Sequence, residues 1–514
     1  MSHSTFDRFV ELARSQTEIA PVGATSATSL IVPVWRDTVF DADTPVSAFA
    51  KLRREPFGFL LESAPAGGET WARYTFLGTQ PRAAWRFKDG VVEDWDTSSG
   101  WHNARSPADP LADLDTLIST PPPVDVPELG SFWTGAVGYF GYDIVRLIER
   151  LPHRKLARSD IPDALFLFTR TLVIVDNLRA QARIVVGVEA PAGADDDTLR
   201  NRYEVATREI EEIEAGLSEP SRLGPLVLDG DSPPARGRSN MDRESFMERV
   251  ERIREHIRAG DCFQALLSRR IDLPANFPAG TLYRALRSMN PSPYMFHLVL
   301  DGLELVGSSP ELLVRLADNR VTLRPIAGTR PRGKTDEQDE TLRRELLADP
   351  KERAEHIMLV DLGRNDVGRV ARYGTVAVTD LMSVEKYSHV LHIVSQVEGE
   401  INGNLSAMDV FRATFPAGTM TGAPKVRAME IIDELEEESR GPYAGAIGYI
   451  AAGGRRMDLA ITIRTCIIAD GVASVQAGAG IVADSVASSE WDETESKAGA
   501  LLAAIGQVRA GSAA

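Results

Sequence analysis

Short apolar runs dominate the first 215 residues, and Gly, Pro or Asp bounds each of them. Runs of this length with these boundaries are typical of β-strands. They lie at residues 59–61, 71–77 and 165–176. A longer and highly charged segment at residues 199–216 predicts a helix instead. The first part of the chain is therefore predicted to combine short strands with a charged helix.

The rest of the chain alternates between helical and strand patterns. Apolar residues recur at helical spacing from Phe246 to Ile257, which predicts a helix over residues 242–259. Further helices are predicted at residues 337–362, 425–438 and 490–508, and strands at residues 294–305, 444–451, 459–469 and 473–482. There is no internal repeat. The alternation indicates an α/β or α+β fold.

A segment crowded with Gly, Pro and Ser lies between these two parts, at residues 216–240. This composition is typical of a linker. We therefore predict two domains, at residues 1–215 and residues 241–510.

Composition narrows the class of protein. The chain has 514 residues, 43% of them hydrophobic, which is ample for a large core. Its net charge of −17 argues against nucleic acid or an anionic membrane as a partner. The two cysteines, Cys262 and Cys466, stand alone in apolar runs, and no segment resembles a membrane span or a signal peptide. We expect a cytoplasmic protein.

The segment from Gly328 to Thr335 matches the phosphate-binding pattern GxxxxGK[ST], which leaves a nucleotide triphosphatase as an alternative. Residues 357–361 even resemble a magnesium-binding strand that ends in Asp361. However, Pro331 removes a backbone N–H from a loop that must donate them, and four acidic residues follow where phosphate charge would lie. Residues 357–361 also continue a helical register. The pattern therefore argues weakly for nucleotide binding.

Two pairs of glutamates have the spacing of one helix face. Glu352 and Glu355 lie three apart, and so do Glu490 and Glu493. A pair of this kind is usually solvated surface. If the two pairs converged, however, they would form an oxygen site suited to Mg²⁺, which prefers carboxylates and retains several waters.

Five segments, in order along the chain, resemble the chorismate-utilising enzymes. They are Leu60-Leu-Glu-Ser63, Pro325-Ile-Ala-Gly-Thr329, Asp361-Leu-Gly-Arg-Asn-Asp-Val-Gly-Arg369, Gly418-Thr-Met-Thr-Gly-Ala-Pro-Lys425 and Gln476-Ala-Gly-Ala-Gly480. The resemblance covers residues 32–503 and is greatest for the large subunits of anthranilate synthases. It implies a two-domain fold with β-sheets packed face to face and helices outside. It also implies a C-terminal domain that binds chorismate with Mg²⁺.

The resemblance implies roles for individual residues. Glu311 matches the general acid, His392 the histidine of the second half-reaction, and Gln264 and Thr419 further catalytic positions. The magnesium positions are Glu355 and Glu493, with Glu352 and Glu490 as second carboxylates. The chorismate positions are Gly328, Thr329, Tyr443, Arg464, Gly478, Ala479, Gly480 and Lys497. Without the resemblance, a histidine amid Val390, Leu391 and Ile393 would be interpreted as a core residue.

The residues at two positions differ between branches of the family. Gln264 stands where water-adding isochorismate enzymes carry a lysine base, and glutamine cannot deprotonate water, so ammonia is the expected nucleophile. Ala327 stands where aminodeoxychorismate synthases commonly carry lysine. Anthranilate is therefore the expected product, with aminodeoxychorismate as the alternative. A non-catalytic homologue is disfavoured because Glu311, His392 and all four glutamates are present together.

The resemblance further implies feedback inhibition by tryptophan, the end product of the pathway that anthranilate enters. The matching positions are Glu62, Ser63, Asn290, Pro293, Tyr294 and Met295. His297 and Ala460 depart from common residues of that pocket. Neither cysteine has the glycine-flanked context of a glutaminase, so we expect a separate glutamine amidotransferase subunit to supply ammonia. Heterodimer and heterotetramer both remain open.

Overall fold

The computed structural model describes residues 3–15, 29–63, 73–152, 161–221, 223–387, 390–403 and 405–512. Residues 71–72 of one predicted strand, and residues 388–389 just before His392, lie outside this set. Among the described residues, no helix is long and apolar enough to cross a membrane.

The described residues form strands and helices along the whole chain. The strands are β1 (Ser29–Val39), β2 (Phe57–Glu62), β3 (Tyr74–Thr79), β4 (Ala83–Lys88), β5 (Val91–Asp96), β6 (Gly100–Arg105), β7 (Gly135–Phe140), β8 (Ala164–Phe168), β9 (Thr171–Asp176), β10 (Gln181–Pro191), β11 (Arg238–Ser239), β12 (Gln264–Pro274), β13 (Tyr294–Leu300), β14 (Leu303–Ser309), β15 (Leu312–Ala317), β16 (Arg320–Leu323), β17 (Ile326–Pro331), β18 (Ala377–Lys386), β19 (Val390–Glu400), β20 (Gly422–Ala423), β21 (Ala446–Ala451), β22 (Met457–Ile461), β23 (Thr465–Ala469) and β24 (Val472–Ile481). The α-helices are α1 (Phe6–Arg14), α2 (Pro45–Leu52), α3 (Pro110–Ser119), α4 (Asp196–Ser218), α5 (Arg243–Ala259), α6 (Ala279–Met289), α7 (Asp336–Ala348), α8 (Pro350–Gly368), α9 (Ala407–Thr414), α10 (Lys425–Leu435) and α11 (Ala487–Ser512). Short 3₁₀ turns span Pro127–Leu129, Tyr142–Leu147 and Gly418–Met420.

The strands assemble into two large antiparallel sheets. The first sheet has the order β1-β10-β9-β3-β2-β13-β14-β23-β24-β12-β11, with β20 beside β12. The second sheet has the order β17-β19-β16-β15-β22-β21-β7-β8-β4-β5-β6, with β18 beside β19. The predicted mixed fold of helices and sheets is confirmed.

One hydrophobic core fills the space between the sheets. Leu60 and Leu298 from the first sheet join Val137 and Ile447 from the second sheet in a single buried cluster. Helices cover the outer faces, with α4 on β10, α6 on β14, α11 on β24 and α8 on β19. This arrangement is the predicted sandwich with helices outside, and it follows from the need of each sheet to bury an apolar face.

Both parts of the chain contribute strands to both sheets. In the first sheet β2 pairs with β13, and in the second sheet β7 pairs with β21. Residues 219–237, within the predicted linker, form no helix or strand where they are described. The division into residues 1–215 and 241–510 therefore describes the order along the chain and stays a prediction as a division into domains.

Some predicted elements are longer than the elements observed. The helix predicted at residues 337–362 is two helices, because Asp349 ends α7 and caps α8, whose first residue is Pro350. The run at residues 294–305 is a hairpin, since Asp301 and Gly302 turn the chain at positive φ. The run at residues 459–469 likewise divides into β22 and β23, which belong to different sheets.

Candidate active site

Two neighbouring strands of the first sheet, β12 and β24, form one wall of the candidate site. Gln264 begins β12, and Gly480 and Gly478 of β24 pair with Leu266 and Ser268 further along β12. A Cβ atom at Gly480 would lie 2.6 Å from the Gln264 Nε2 atom, so glycine is needed for the amide to lie there. Ala479 is fully buried, and its side chain packs in the cluster beneath α5. The side chain of Ala479 is therefore not available to a ligand.

The four predicted metal glutamates come from the first two turns of α8 and α11. Glu355 accepts a hydrogen bond from Gln264 Nε2 at 3.0 Å. Glu352 pairs with Arg330 at 3.0 Å, and Glu493 pairs with Lys497 at 2.6 Å. Burial raises the pKa of Glu355, and the carboxylates of Glu352 and Glu493 raise it further. Burial likewise raises the pKa of Glu490, with a contribution from Glu493. The two pairs therefore converge.

These residues fit a hard divalent cation. The donors are all carboxylate oxygens, which Mg²⁺ prefers, and their mutual repulsion is what a cation would relieve. The buried Gln264 Oε1 atom has no hydrogen-bond partner among the described residues, so it adds an unused oxygen beside Glu355. No three His, Cys, Asp or Glu side chains within the described chain are already close enough to hold a metal ion. The carboxylate oxygens therefore lie in one region, but they are not yet close enough to one another to form a coordination shell.

Glu311 lies just before β15 and is buried. Thr419, in the turn Gly418–Met420, donates a hydrogen bond to Glu311 Oε1 at 3.0 Å. Burial raises the pKa of Glu311 to about 7, although the Thr419 hydrogen bond and the charge of Lys497 oppose the shift. A carboxyl with this pKa is a competent general acid near neutral pH.

His392 lies on β19, directly opposite Thr329 of β17. Its Nδ1 atom is 3.0 Å from the Gly328 carbonyl oxygen and 3.2 Å from Thr329 Oγ1. Because a carbonyl can only accept, Nδ1 carries the proton and Nε2 is the basic nitrogen. Burial lowers the pKa of His392, and the charges of Arg464 and Lys497 lower it further. The ring is thus held neutral in one tautomer.

The cationic side of the site is made by Arg464 and Lys497. Arg464 lies between β22 and β23 at a positive φ of 51°, where the chain passes from one sheet to the other. It donates to the Lys497 carbonyl, and Lys497 Nζ donates to the Gly478 carbonyl at 3.0 Å. Burial lowers the pKa of Arg464, while Tyr443 and Glu493 oppose that shift. Tyr443 itself is buried beside β21.

The predicted catalytic, chorismate and metal residues therefore surround one region between the ends of the two sheets. Arg330, which donates to both Glu352 and Asp349, was not among the predicted site residues. Its position directly after Thr329 was the available signal. Asp366 and Lys425, which form a part-buried ion pair at 2.7 Å, were likewise not predicted to have a role.

The segment that matched a phosphate-binding pattern has a different role. The Gly333 backbone N–H donates to Asp339 Oδ1 at 2.7 Å, so a carboxylate already occupies a donor that phosphate would need. Ile357 and Asp361 both lie within α8, so Asp361 does not end a strand. The nucleotide triphosphatase interpretation is therefore not favoured.

A separate cavity of about 340 Å³ lies between the two sheets. Five of the six positions predicted for the inhibitor line it, namely Glu62, Ser63, Pro293, Tyr294 and Met295. Asn290 does not line the cavity; its side chain donates to Ser308 Oγ at 3.4 Å. Phe76 and Tyr449 supply aromatic surface, and the part-buried pair Arg315 and Asp458 supplies charge. The cavity thus combines an apolar interior with both signs of charge.

Comparisons with known proteins identify relatives over most of the chain. The chain is 44% identical to anthranilate synthase component 1 of Aquifex aeolicus (strain VF5), over 92% of this chain and 94% of that protein. It is 44% identical to anthranilate synthase component 1 of Pseudomonas putida, over 92% and 95% of the two chains. The crystal structure of anthranilate synthase component I from Streptococcus pneumoniae TIGR4 superposes with a TM-score of 0.73 at 35% identity, covering 90% of this chain and 99% of that chain.

A more distant structure shares the fold alone. The menaquinone-specific isochorismate synthase MenF from Escherichia coli superposes with a TM-score of 0.68 at 19% identity, over 94% and 96% of the two chains. The sequence profile of chorismate binding enzymes matches residues 60–503. This match and the relatives show that the chain belongs to the chorismate binding enzyme family.

Proposed function

We propose that this chain is the chorismate-converting component of an anthranilate synthase. The proposed reaction takes chorismate and ammonia to anthranilate, pyruvate and water. The single observation that carries it is the pairing of a buried acid with a neutral histidine in one site. Glu311 has a pKa of about 7, and the tautomer of His392 is fixed by the Gly328 carbonyl. The names of the relatives support the same assignment.

In the first half-reaction Glu311 donates its proton to the C4 hydroxyl of chorismate, which leaves as water. Ammonia attacks C2 and forms the new C–N bond. Gln264 lies beside this chemistry without being able to act as a base, which favours ammonia over water as the nucleophile. Arg464, Lys497 and the backbone around Gly478 provide cationic and hydrogen-bonding groups for the two carboxylates of the substrate.

In the second half-reaction the C2 proton is lost and pyruvate is eliminated, which produces the aromatic ring. His392 Nε2 is the basic nitrogen that we assign to this proton. The Gly328 carbonyl keeps the ring in the required tautomer, and burial keeps it neutral.

We propose Mg²⁺ as the cofactor, held by Glu355 and Glu493 with Glu352 and Glu490 as second carboxylates. Bound there, the ion would neutralise and polarise a carboxylate of the substrate. Burial is the main cause of the raised pKa of Glu355, and a bound cation would offset the further rise that Glu352 and Glu493 cause.

The direct test uses the purified chain with chorismate, MgCl₂ and an ammonium salt. We expect anthranilate fluorescence and pyruvate release to rise together, and both to stop when EDTA removes the metal. Pyruvate without anthranilate, or isochorismate or aminodeoxychorismate as the stable product, would contradict the assignment. Glu311→Gln is the matched negative control.

We further propose that a separate glutamine amidotransferase subunit supplies ammonia in the cytoplasm, where the two buried free cysteines would stay reduced. The chain alone should then use ammonium salts but not glutamine. Adding the small subunit should make glutamine a substrate. Glutamine-dependent turnover by the isolated chain would refute the proposal.

The cavity beside Met295 is proposed to bind tryptophan as a feedback inhibitor. Its volume of about 340 Å³, its aromatic lining and the pair Arg315 and Asp458 suit an aromatic amino acid that carries both charges. Tryptophan should inhibit the ammonia-dependent reaction. An enzyme indifferent to millimolar tryptophan would contradict this.

A further inference from the structure

A buried arginine close to the site has hydrogen-bonded partners on three separate segments. Arg440 is 2% exposed. Its Nε atom donates to Glu436 Oε2 at 2.8 Å, and its Nη2 atom donates to Glu436 Oε1 at 2.7 Å. Its Nη1 atom donates to the Met420 carbonyl at 2.8 Å, and Nη2 also donates to the Leu266 carbonyl at 3.1 Å. The planar fork of an arginine is needed to reach these acceptors together.

The carboxylate of Glu436 also has hydrogen-bond partners besides Arg440. Glu436 Oε1 accepts hydrogen bonds from the Ser268 backbone N–H and from Ser268 Oγ, both at 2.8 Å. Ser268 lies on β12, while Glu436 directly follows α10. The pair therefore fastens the end of α10 to the middle of β12.

Each carbonyl to which Arg440 donates lies within two residues of a residue of the candidate site. Met420 directly follows Thr419, whose hydroxyl donates to Glu311. Leu266 lies two residues after Gln264, whose amide donates to Glu355. The Leu266 N–H in turn donates to the carbonyl of Thr421, the residue directly after the turn, at 2.8 Å. Arg440 therefore bridges the turn Gly418–Met420 and β12 beside a direct backbone contact between them.

The arginine also contacts the aromatic residues behind the site. Its guanidinium carbon lies 4.6 Å from the centre of the Tyr142 ring and 6.0 Å from the centre of the Tyr443 ring. A buried ion pair is a poor way to gain stability, because both charges must lose their water. The number of active-site segments that this pair holds in register points to positioning instead.

We propose that Arg440 is a positioning residue, which fixes the turn Gly418–Met420 against β12 so that Thr419 holds Glu311 in place for proton transfer. The inference rests on the proposed function, since it concerns the acid of that reaction. It assigns to the pair of Arg440 and Glu436 a role in the rate of the chemical step and not in substrate affinity.

The test is Arg440→Lys, which keeps the charge but loses the fork. We expect kcat to fall about 100-fold, the size that misplacing a catalytic group produces, with KM within about threefold of wild type. Arg146→Lys is the matched control, because Arg146 pairs with Asp433 on the same α10 without contacting the turn Gly418–Met420. A control variant as slow as Arg440→Lys, or an Arg440→Lys enzyme changed only in KM, would overturn the proposal.

A double-mutant cycle with Thr419→Val tests the route. If Arg440 acts through Thr419, then adding Arg440→Lys to Thr419→Val should lower kcat by less than about threefold further. If the fold-losses in kcat of the two single variants multiplied in the double variant, Arg440 would act independently of Thr419, which would contradict the proposal.

Glu436→Gln covers the case in which Arg440→Lys fails to fold, since it keeps the size and the acceptor for Ser268. We expect a folded protein by circular dichroism with kcat lowered at least tenfold and KM unchanged. A folded Glu436→Gln enzyme with wild-type kcat would overturn the proposal. Wild-type enzyme that forms no anthranilate would refute the proposed function itself, which separates the two failures.

Discussion

At the scale of single residues, Glu311 shows how burial produces reactivity. Its carboxyl is excluded from water, which disfavours the charged form and raises the pKa to about 7. Thr419 and Lys497 stabilise the charged form and so limit the shift. The sequence motif identified the residue by resemblance, but not its protonation state, because that depends on groups from the Gly418–Met420 turn and α11 that only folding brings near.

The pH dependence of the rate should follow this pKa. Glu311 must be protonated to act as an acid, so kcat/KM for chorismate should fall as pH rises through about 7. The measurement holds the concentration of unprotonated ammonia constant at each pH, since ammonia itself titrates in the opposite sense. A rate that rises steadily from pH 6 to pH 9 under these conditions would contradict the assignment.

The variant Glu311→Gln should lose activity but gain stability at alkaline pH. The variant should lose about 10² to 10⁴-fold in kcat, because glutamine donates no proton. The pKa is raised on folding, so the native state holds a proton that the unfolded state releases, and stability falls as pH rises from about 4.5 to about 7. The variant should therefore melt above wild type at pH 8 and together with it near pH 4.5. Equal melting temperatures at pH 8 would show that ionising Glu311 does not lower the free energy of unfolding, which would contradict the prediction.

At the scale of elements, the strand and helix patterns were predicted well, but their ends were not. Residues 337–362 were predicted as one helix, yet Pro350 starts a second helix whose first turn carries Glu352. The run at residues 459–469 contains Arg464, where the chain changes sheet. The periodicity of apolar residues shows which face of a segment is buried. Because β22 and β23 are both buried, this pattern does not show that the chain changes sheet between them.

Gly328 provides a prediction about β17. Its φ is +68°, and a Cβ atom there would lie 3.2 Å from Glu352 Oε2 and from Ile393. Gly328→Ala should cost about 1 kcal/mol of backbone strain and also displace Glu352, so activity should fall at least tenfold. Gly302→Ala is the matched control, because φ is +88° with nothing within 4 Å of the added atom. Both variants should show a similar loss in thermal stability. Equal activity of the two would refute a role for the space beside Gly328.

Strands β2 and β13 bring the two halves of the proposed inhibitor site together. Met295 lies directly opposite Glu62 in this pairing, although 233 residues separate them in the chain (295 − 62). Met295→Ala removes apolar surface from the cavity, so the inhibition constant for tryptophan should rise about tenfold or more, as expected for loss of one buried side chain. Val299→Ala truncates the same strand outside the cavity and should leave inhibition unchanged. Equal effects from both variants would place the inhibitor elsewhere.

At the scale of the whole molecule, the sequence indicated the class of fold but not how the chain is shared between the sheets. Pairing β2 with β13 and β7 with β21 joins residues hundreds of positions apart. No local pattern records such pairings, since any strand with an apolar face would satisfy the periodicity equally well. The segment at residues 216–240 has the composition of a linker, yet the strands on either side of it complete the same sheets.

This sharing predicts that the molecule unfolds as one cooperative unit. If residues 1–215 unfolded first, β13 and β21 would each lose a paired neighbour, and the core between the sheets would open to water. Denaturant unfolding followed by circular dichroism and by tryptophan fluorescence should therefore give coincident single transitions. Residues 1–215 expressed alone should fail to fold, because β2 and β7 would be left as unpaired, apolar edges. Two separated transitions, or a folded N-terminal fragment, would instead establish two independent domains.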